Sequence, residues 1–591
     1  MIKKNMFVLF ELILLFFTLQ TVSSAQVVNI KIIETSDVHG ALLPFDLVNN
    51  ISTTSSLAQV YTYVQSQRNK QSQQVILLDN GDLIQGDPIS YYYNFINETG
   101  RNVFADALNF MNYDAATIGN HDIETGHEVY DKFRNEINMP WLAANTTNIN
   151  TGETYFEPYT IIERSGIRVA VLGLTTPGVT SWLPEKLWSG IMFEDMIESA
   201  EKWVEIIKEK EKPDLLVGLF HSGVDYTYNG EDENTYKNEN ASQLVAERVS
   251  GFDIVFVGHD HQGWNFKTTN VSGDSVLILG PTSRARNIAA ADIQFEYDRS
   301  SSKWIRKNIA GEIIETKNYK PDDSFMNKFM MNLNIVKNYV NEPIGRFTKS
   351  ISSRESLFGP SAFVDLIHKI QLDITNADIS FTAPLSFDTE IDSGWVYVKD
   401  VFKLYHYENF LYTMKLSGAE IKKYLEFSYG GWFNQMKNEN DDLILFKKDD
   451  NGNIKYSDRY GIPETEERFY NYSSAAGLNY IVDVSKPAGD RITINSLSDG
   501  KLFYPDSIYL TAINSYRGSG GGGHLTRGAE IPLEDLPGRI VSSTEKEFRH
   551  SMIQWIEENK IITPEIISSW RVVPEDWWKK GKEKDYQILF K

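Results

Sequence analysis

Five times between residues 28 and 261, a short β-branched, apolar run ends in a cluster of Asp, His or Asn. Val28–Ile33 leads to Asp37-Val38-His39, and Val75–Leu78 to Asp79-Asn80-Gly81-Asp82. Ala115–Ile118 leads to Gly119-Asn120-His121-Asp122, Leu215–Phe220 to His221, and Ile254–Val257 to Gly258-His259-Asp260-His261. Runs this short and unbroken predict strands covered on both faces, as in α/β domains. Val169–Leu174 and Val276–Leu279 read the same way, and Ser199–Glu211 reads as a covering helix. Each polar cluster therefore falls just past the C-terminal end of a predicted strand. That edge is where α/β folds hold ligands, on loops that bring distant residues together.

A chain of 591 residues exceeds one compact core, so two folded domains are expected. Pro321-Asp322-Asp323-Ser324 offers a helix start, and a helix to Val340 would carry Met326, Phe329, Met330, Leu333, Val336 and Val340 on one face. We read residues 321–343 as a connector between a first domain, 26–320, and a second α/β region, 344–591. Gly518-Ser519-Gly520-Gly521-Gly522-Gly523 is the clearest irregular segment of the second half, and Trp555, Trp570, Trp577 and Trp578 read as packing.

The N-terminus predicts an export signal over residues 1–25. Lys3 and Lys4 form a basic end, Phe7–Leu19 is mostly apolar, and Ser23-Ser24-Ala25 supplies small residues before Gln26. Glu11 and the short run argue against a stable membrane span. The chain has no cysteine, which excludes disulfides, thiolate ligands and a cysteine nucleophile. We expect an exported protein, periplasmic or secreted, of bacterial type. A net charge of −22 disfavours a nucleic-acid polymer as partner. It does not exclude a small nucleotide, because bound cations reverse a local field.

Carboxylate, imidazole and amide oxygen are hard-to-borderline donors suited to Zn, Mn, Fe or Mg. Two such ions about 3.5–4 Å apart can clamp the attacking and leaving oxygens of a phosphoryl transfer. A carboxylate must then bridge them, and Asp82, following Gly81, is the candidate.

In this order the motifs resemble the calcineurin-like metallophosphoesterases, and the second half resembles the C-terminal substrate domain of the 5′-nucleotidase family. The resemblance implies a four-layer α/β/β/α catalytic sandwich, a connector helix and a C-terminal α/β domain. It implies two divalent metals, one held by Asp37, His39, Asp82 and His261, the other by Asp82, Asn120, His221 and His259. His121 would stabilise the transition state or protonate the leaving oxygen, oriented by Glu124, with Asp122 as the rival partner. The implied reaction is phosphate-ester hydrolysis, on nucleoside 5′-phosphates, by in-line attack of metal-bound hydroxide. The alternatives are a 2′,3′-cyclic nucleotide phosphodiesterase, a nucleotide-sugar hydrolase, or a non-catalytic nucleotide-binding surface protein. Tyr407 and Asn409, in Tyr407-Glu408-Asn409, and Tyr516 and Arg517, before the glycine turn, match the family's base-gripping positions. One segment departs: Ala383-Pro384-Leu385-Ser386-Phe387-Asp388 stands where the family has Gly-Gly-Gly-Ile-Arg, so a phosphate-binding arginine is replaced by Asp388. Arg517 and Arg354 are the candidates to compensate.

Overall fold

The computed structural model describes residues 26–457 and 461–591. The predicted export signal lies outside the described residues. No helix among the described residues is long and apolar enough to cross a membrane.

The chain first lays down β1 (Val27–Thr35), β2 (Gln73–Asp79), β3 (Ala115–Thr117) and β4 (Trp141–Leu142). It moves to β5 (Tyr159–Arg164), β6 (Ile167–Thr175), β7 (Leu215–His221), β8 (Ile254–Val257), β9 (Trp264–Thr269) and β10 (Ser275–Gly280). It returns with β11 (Asn287–Asp298) and β12 (Lys303–Glu315). Two six-stranded sheets result, ordered β12–β11–β1–β2–β3–β4 and β9–β10–β8–β7–β6–β5. Strands β1 to β4 run parallel, as do β6, β7, β8 and β10.

The strand period of two explains the unbroken apolar runs. Ile30, Ile32, Ile76 and Leu78 face Val169, Val171, Val217 and Leu219 in the core between the sheets. Ile33 and Leu77, of opposite parity, pack outward under the helix Leu57–Arg68. Leu216 and Phe220 pack outward under the helices Met196–Lys210 and Ser242–Arg248. Helix, sheet, sheet and helix therefore stack as four layers.

The helix Asp323–Val340 starts where Asp322 accepts a hydrogen bond from the Phe325 amide at 2.9 Å. Its buried stripe is Phe325, Phe329, Leu333, Val336 and Val340, packed on the first domain. The structure corrects one member of the expected face. Met330 is 36% exposed. It lies five residues after Phe325, about 100° round the helix from the middle of that stripe.

The second domain is built on a sheet ordered β15–β13–β16–β14–β17, where β13 is Ile379–Thr382, β14 Leu411–Ser417, β15 Ser474–Ala476, β16 Ile508–Asn514 and β17 Ile540–Ser543. The helix Gly418–Trp432 packs with Phe381 and Met414 on one face, and Ala362–Thr375 with Ala512 on the other. Trp555 and Trp570 are buried, Trp570 stacked on Tyr480 at 5.6 Å.

Candidate metal centre and active site

The parallel strands carry the polar clusters to one edge. Asp37 and His39 follow β1, Asp82 follows β2, Asn120 and His121 follow β3, His221 ends β7, and His259 and His261 follow β8. Two groups of side chains converge there: Asp37, His39 and His261, and Asp82, His221 and His259. In the first, Nε2 of His39 lies 3.0 Å from Nε2 of His261, and Nε2 of His261 lies 3.3 Å from Oδ1 of Asp37. In the second, Oδ2 of Asp82 lies 3.1 Å from Nε2 of His221. Oδ1 of Asn120 joins it, 3.1 Å from Nε2 of His221 and 2.9 Å from Nδ1 of His259. The same Asp82 oxygen is 3.9 Å from Nε2 of His39, so it faces both groups.

These atoms fit divalent cations on physical grounds. Oδ2 of Asp82 is buried and accepts no hydrogen bond. A buried, unsatisfied carboxylate oxygen is costly without a cation. Neighbouring bonds aim the ring nitrogens inward. Nδ1 of His221 bonds the Asn80 carbonyl at 2.6 Å, and Nδ1 of His39 bonds the Gln85 carbonyl at 3.3 Å. A ring that donates through Nδ1 leaves Nε2 as its free lone pair. Burial pushes His39 down to about 3, aided by the charge of His261, so it is neutral, the ligating form. Burial opposes ionisation of Asp37, yet the hydrogen bond and charge of His261 hold it down at about 2. For Asp82, burial is likewise outweighed, chiefly by the charges of His221 and His121, and the carboxyl stays well below its usual range. Asp82 in turn pushes His221 up to about 9 against its burial, and a bound cation would displace that proton from Nε2.

The backbone is strained where these residues sit. Asp37, His39, Asp82, His259 and His261 all have positive φ, between 45° and 72°. Side-chain-bearing residues reach that region at a cost, and such strain concentrates at functional sites. At Gly119 a Cβ would collide with the Asp82 carboxylate, so only glycine allows β3's loop to approach Asp82.

Nδ1 of His121 lies 2.5 Å from Oε2 of Glu124, and its backbone amide donates to Oδ1 of Asp82 at 2.8 Å. Burial opposes protonation of His121, but Asp82 and Glu124 push it up to about 10. Asp122, the rival partner, is occupied elsewhere. It accepts the backbone amides of Asp82, Leu83, Ile84 and Gly119 at 2.8–3.1 Å, bracing the loop that carries Asp82.

Sequence reasoning missed two neighbours of His259. Oε1 of Glu239 lies 3.2 Å from its Nε2, and the Trp182 ring stacks on it at 5.5 Å and 16°. Glu239 lies on a loop and Trp182 ends the short helix Val179–Trp182, neither within a motif, so residue type alone carried no signal.

In the second domain, Tyr407 and Tyr516 are half-buried, and Tyr407 meets Tyr470 edge-on at 6.1 Å. Asn409 is buried, and its carbonyl accepts the Phe548 amide at 2.6 Å. Arg517 departs from the expected phosphate contact. It is 4% exposed, and its guanidinium bonds the Tyr470 and Gly521 carbonyls and Oδ1 of Asn471 at 2.7–2.9 Å. It braces the glycine turn, where Gly522 is needed because a Cβ would strike that guanidinium. Arg354 is also committed: it pairs with Asp388 through two bonds, at 2.5 and 3.0 Å.

Comparison with known proteins agrees with this architecture. Residues 30–263 match the calcineurin-like phosphoesterase family, and residues 343–527 match the 5′-nucleotidase C-terminal domain. The chain is 26% identical to the trifunctional nucleotide phosphoesterase protein YfkN of Bacillus subtilis over 93% of its own length, but spans only 39% of that relative. It is 26% identical to a 2′,3′-cyclic-nucleotide 2′-phosphodiesterase/3′-nucleotidase of Haemophilus influenzae, covering 93% of this chain and 88% of that protein. A candidate 5′-nucleotidase of Staphylococcus aureus shares the fold, with a TM-score of 0.73 at 19% identity over 92% of this chain and 99% of that one. The chain belongs to the calcineurin-like metallophosphoesterases that carry a 5′-nucleotidase C-terminal domain, a family of metal-dependent phosphoester hydrolases.

Proposed function

We propose that this protein hydrolyses nucleotide phosphate esters at a two-metal centre spanned by Asp82. The observation that carries this reading is the buried Asp82 oxygen, without a hydrogen bond and facing both ligand groups. Asp37, His39, Asp82 and His261 would hold one divalent ion, and Asp82, Asn120, His221 and His259 the other. When bound, such a pair neutralises phosphoryl charge and lowers the pKa of water. Glu124 accepts the Nδ1–H of His121 and, with Asp82, favours the doubly protonated ring, whose Nε2–H is then available to the leaving oxygen. Tyr407 and Tyr516 supply aromatic faces for a base. Asp82→Asn is expected to abolish phosphate release and lower bound metal; retained activity would sink the assignment.

A specific observation favours 2′,3′-cyclic nucleotides as a second substrate class. Asp388 stands at the altered segment and Arg354 neutralises it, while Arg517 serves the glycine turn. That leaves no arginine fork from this segment for a dianionic 5′-phosphate. A cyclic phosphodiester carries one charge and needs less. The Haemophilus relative bears that name. Phosphate release from AMP, ADP and UDP-glucose, compared with ring opening of 2′,3′-cyclic AMP, separates the two. We place the enzyme outside the cytoplasm, which N-terminal sequencing of the mature protein tests by starting at Gln26.

A further inference from the structure

With Arg517 and Arg354 committed, a further arginine, Arg468, lies among tyrosines drawn from both halves of the chain. Arg468 is exposed, and its Nη1 lies 2.5 Å from the Tyr470 hydroxyl, with the guanidinium 5.8 Å from that ring's centre. Tyr470 in turn meets Tyr407. Arg468's charge also acts on Tyr228, Tyr407 and Tyr516. Tyr228 comes from the catalytic half and is 43% exposed, so the cluster spans both domains. Among the described residues, no carboxylate forms an ion pair with Arg468, and Tyr470 is its hydrogen-bond partner. A guanidinium has five N–H donors in a planar fork, so most remain available. An aromatic cluster with a donor fork at its edge suits a flat heterocycle bearing acceptor atoms: the rings provide faces, and the arginine reads the edge.

We infer that Arg468 is a substrate-binding residue that donates hydrogen bonds to the nucleoside portion of the substrate, and not to the scissile phosphate. Its neighbours are the tyrosines and not Asp82, His121 or the converging histidines. It therefore acts on recognition and leaves the chemical step untouched. This rests on the nucleotide reading above.

The test compares two kinds of substrate in metal-loaded protein. One is whichever of AMP, ADP, UDP-glucose and 2′,3′-cyclic AMP the wild type turns over fastest. The other is a nucleoside-free ester, p-nitrophenyl phosphate or bis(p-nitrophenyl) phosphate. Arg468→Met keeps the aliphatic stem and removes the fork. It is expected to raise KM for the nucleotide about tenfold or more, the range of a charged hydrogen bond. It should leave nucleotide kcat and turnover of the nucleoside-free ester unchanged. Arg468→Lys should recover part of the KM. A nucleotide KM within about twofold of wild type, or an equal loss on both substrates, overturns the assignment. If the wild type cleaves the nucleoside-free ester but no nucleotide, the nucleotide reading itself fails, and the Arg468 assignment with it.

Discussion

Around His259, three residues far apart in the chain define one ring's position. Asn120 faces Nδ1, Glu239 faces Nε2 and Trp182 covers the face. Glu239 is held in turn: its carbonyl accepts from Thr176 and Ser222, and its amide donates to Glu231. A carboxylate on the outer nitrogen of a ligating histidine orients the ring and raises its basicity. Glu239→Gln is therefore expected to weaken metal binding about 10–100-fold, read by competition with a metallochromic chelator, while the melting temperature of the metal-free protein stays put. Motif spacing was enough to nominate His259, because Gly-His-x-His after a strand is a local pattern. Glu239 escaped that reading because its relation to His259 exists only across folded space.

At the scale of loops and strands, the ligand-bearing turns trade backbone comfort for position. Five candidate ligands lie at positive φ, and the strands behind them are buried on both faces. A rigid double layer is what lets such turns persist. Gly119→Ala tests this directly. Its Cβ would displace the Asp82 carboxylate, so metal occupancy and activity should fall sharply while the far-ultraviolet circular dichroism is retained. Strand positions were legible because unbroken apolar runs report burial on two faces. The face of the helix Asp323–Val340 was legible only in part. Met330 and Phe325 are both apolar, and only packing against the first domain shows which is buried.

Across the whole molecule, the two domains meet at a buried ion pair. Arg549, 1% exposed, lies 3.0 Å from Glu408, between the Tyr91 and Phe402 rings. Tyr91 belongs to the catalytic half, while Glu408 sits between Tyr407 and Asn409, so the pair ties the tyrosine cluster to the metal domain. Burial pushes Glu408 up to about 8, against the pull of Arg549. Arg549→Met removes the charge that works against that rise, so Glu408 should titrate higher still, and denaturant unfolding should show a loss of stability that grows as the pH rises through about 8. Adding Glu408→Gln should recover part of the loss, as a double-mutant cycle would show. Lys186 adds a second tie, donating to the Thr544 carbonyl at 3.0 Å and lying 3.6 Å from the Phe410 ring centre. By itself, the sequence determined the α/β class and the five polar clusters at strand ends, since both follow from residue type over a few neighbouring positions. Only the tertiary structure decided that Asp82 faces both groups, that Glu239 and Trp182 hold His259, that Arg517 braces a turn, and that Arg468 stands among the tyrosines. Those facts are distances between segments tens to hundreds of residues apart, and chain order does not encode them until the sheets pack and the two domains close on each other.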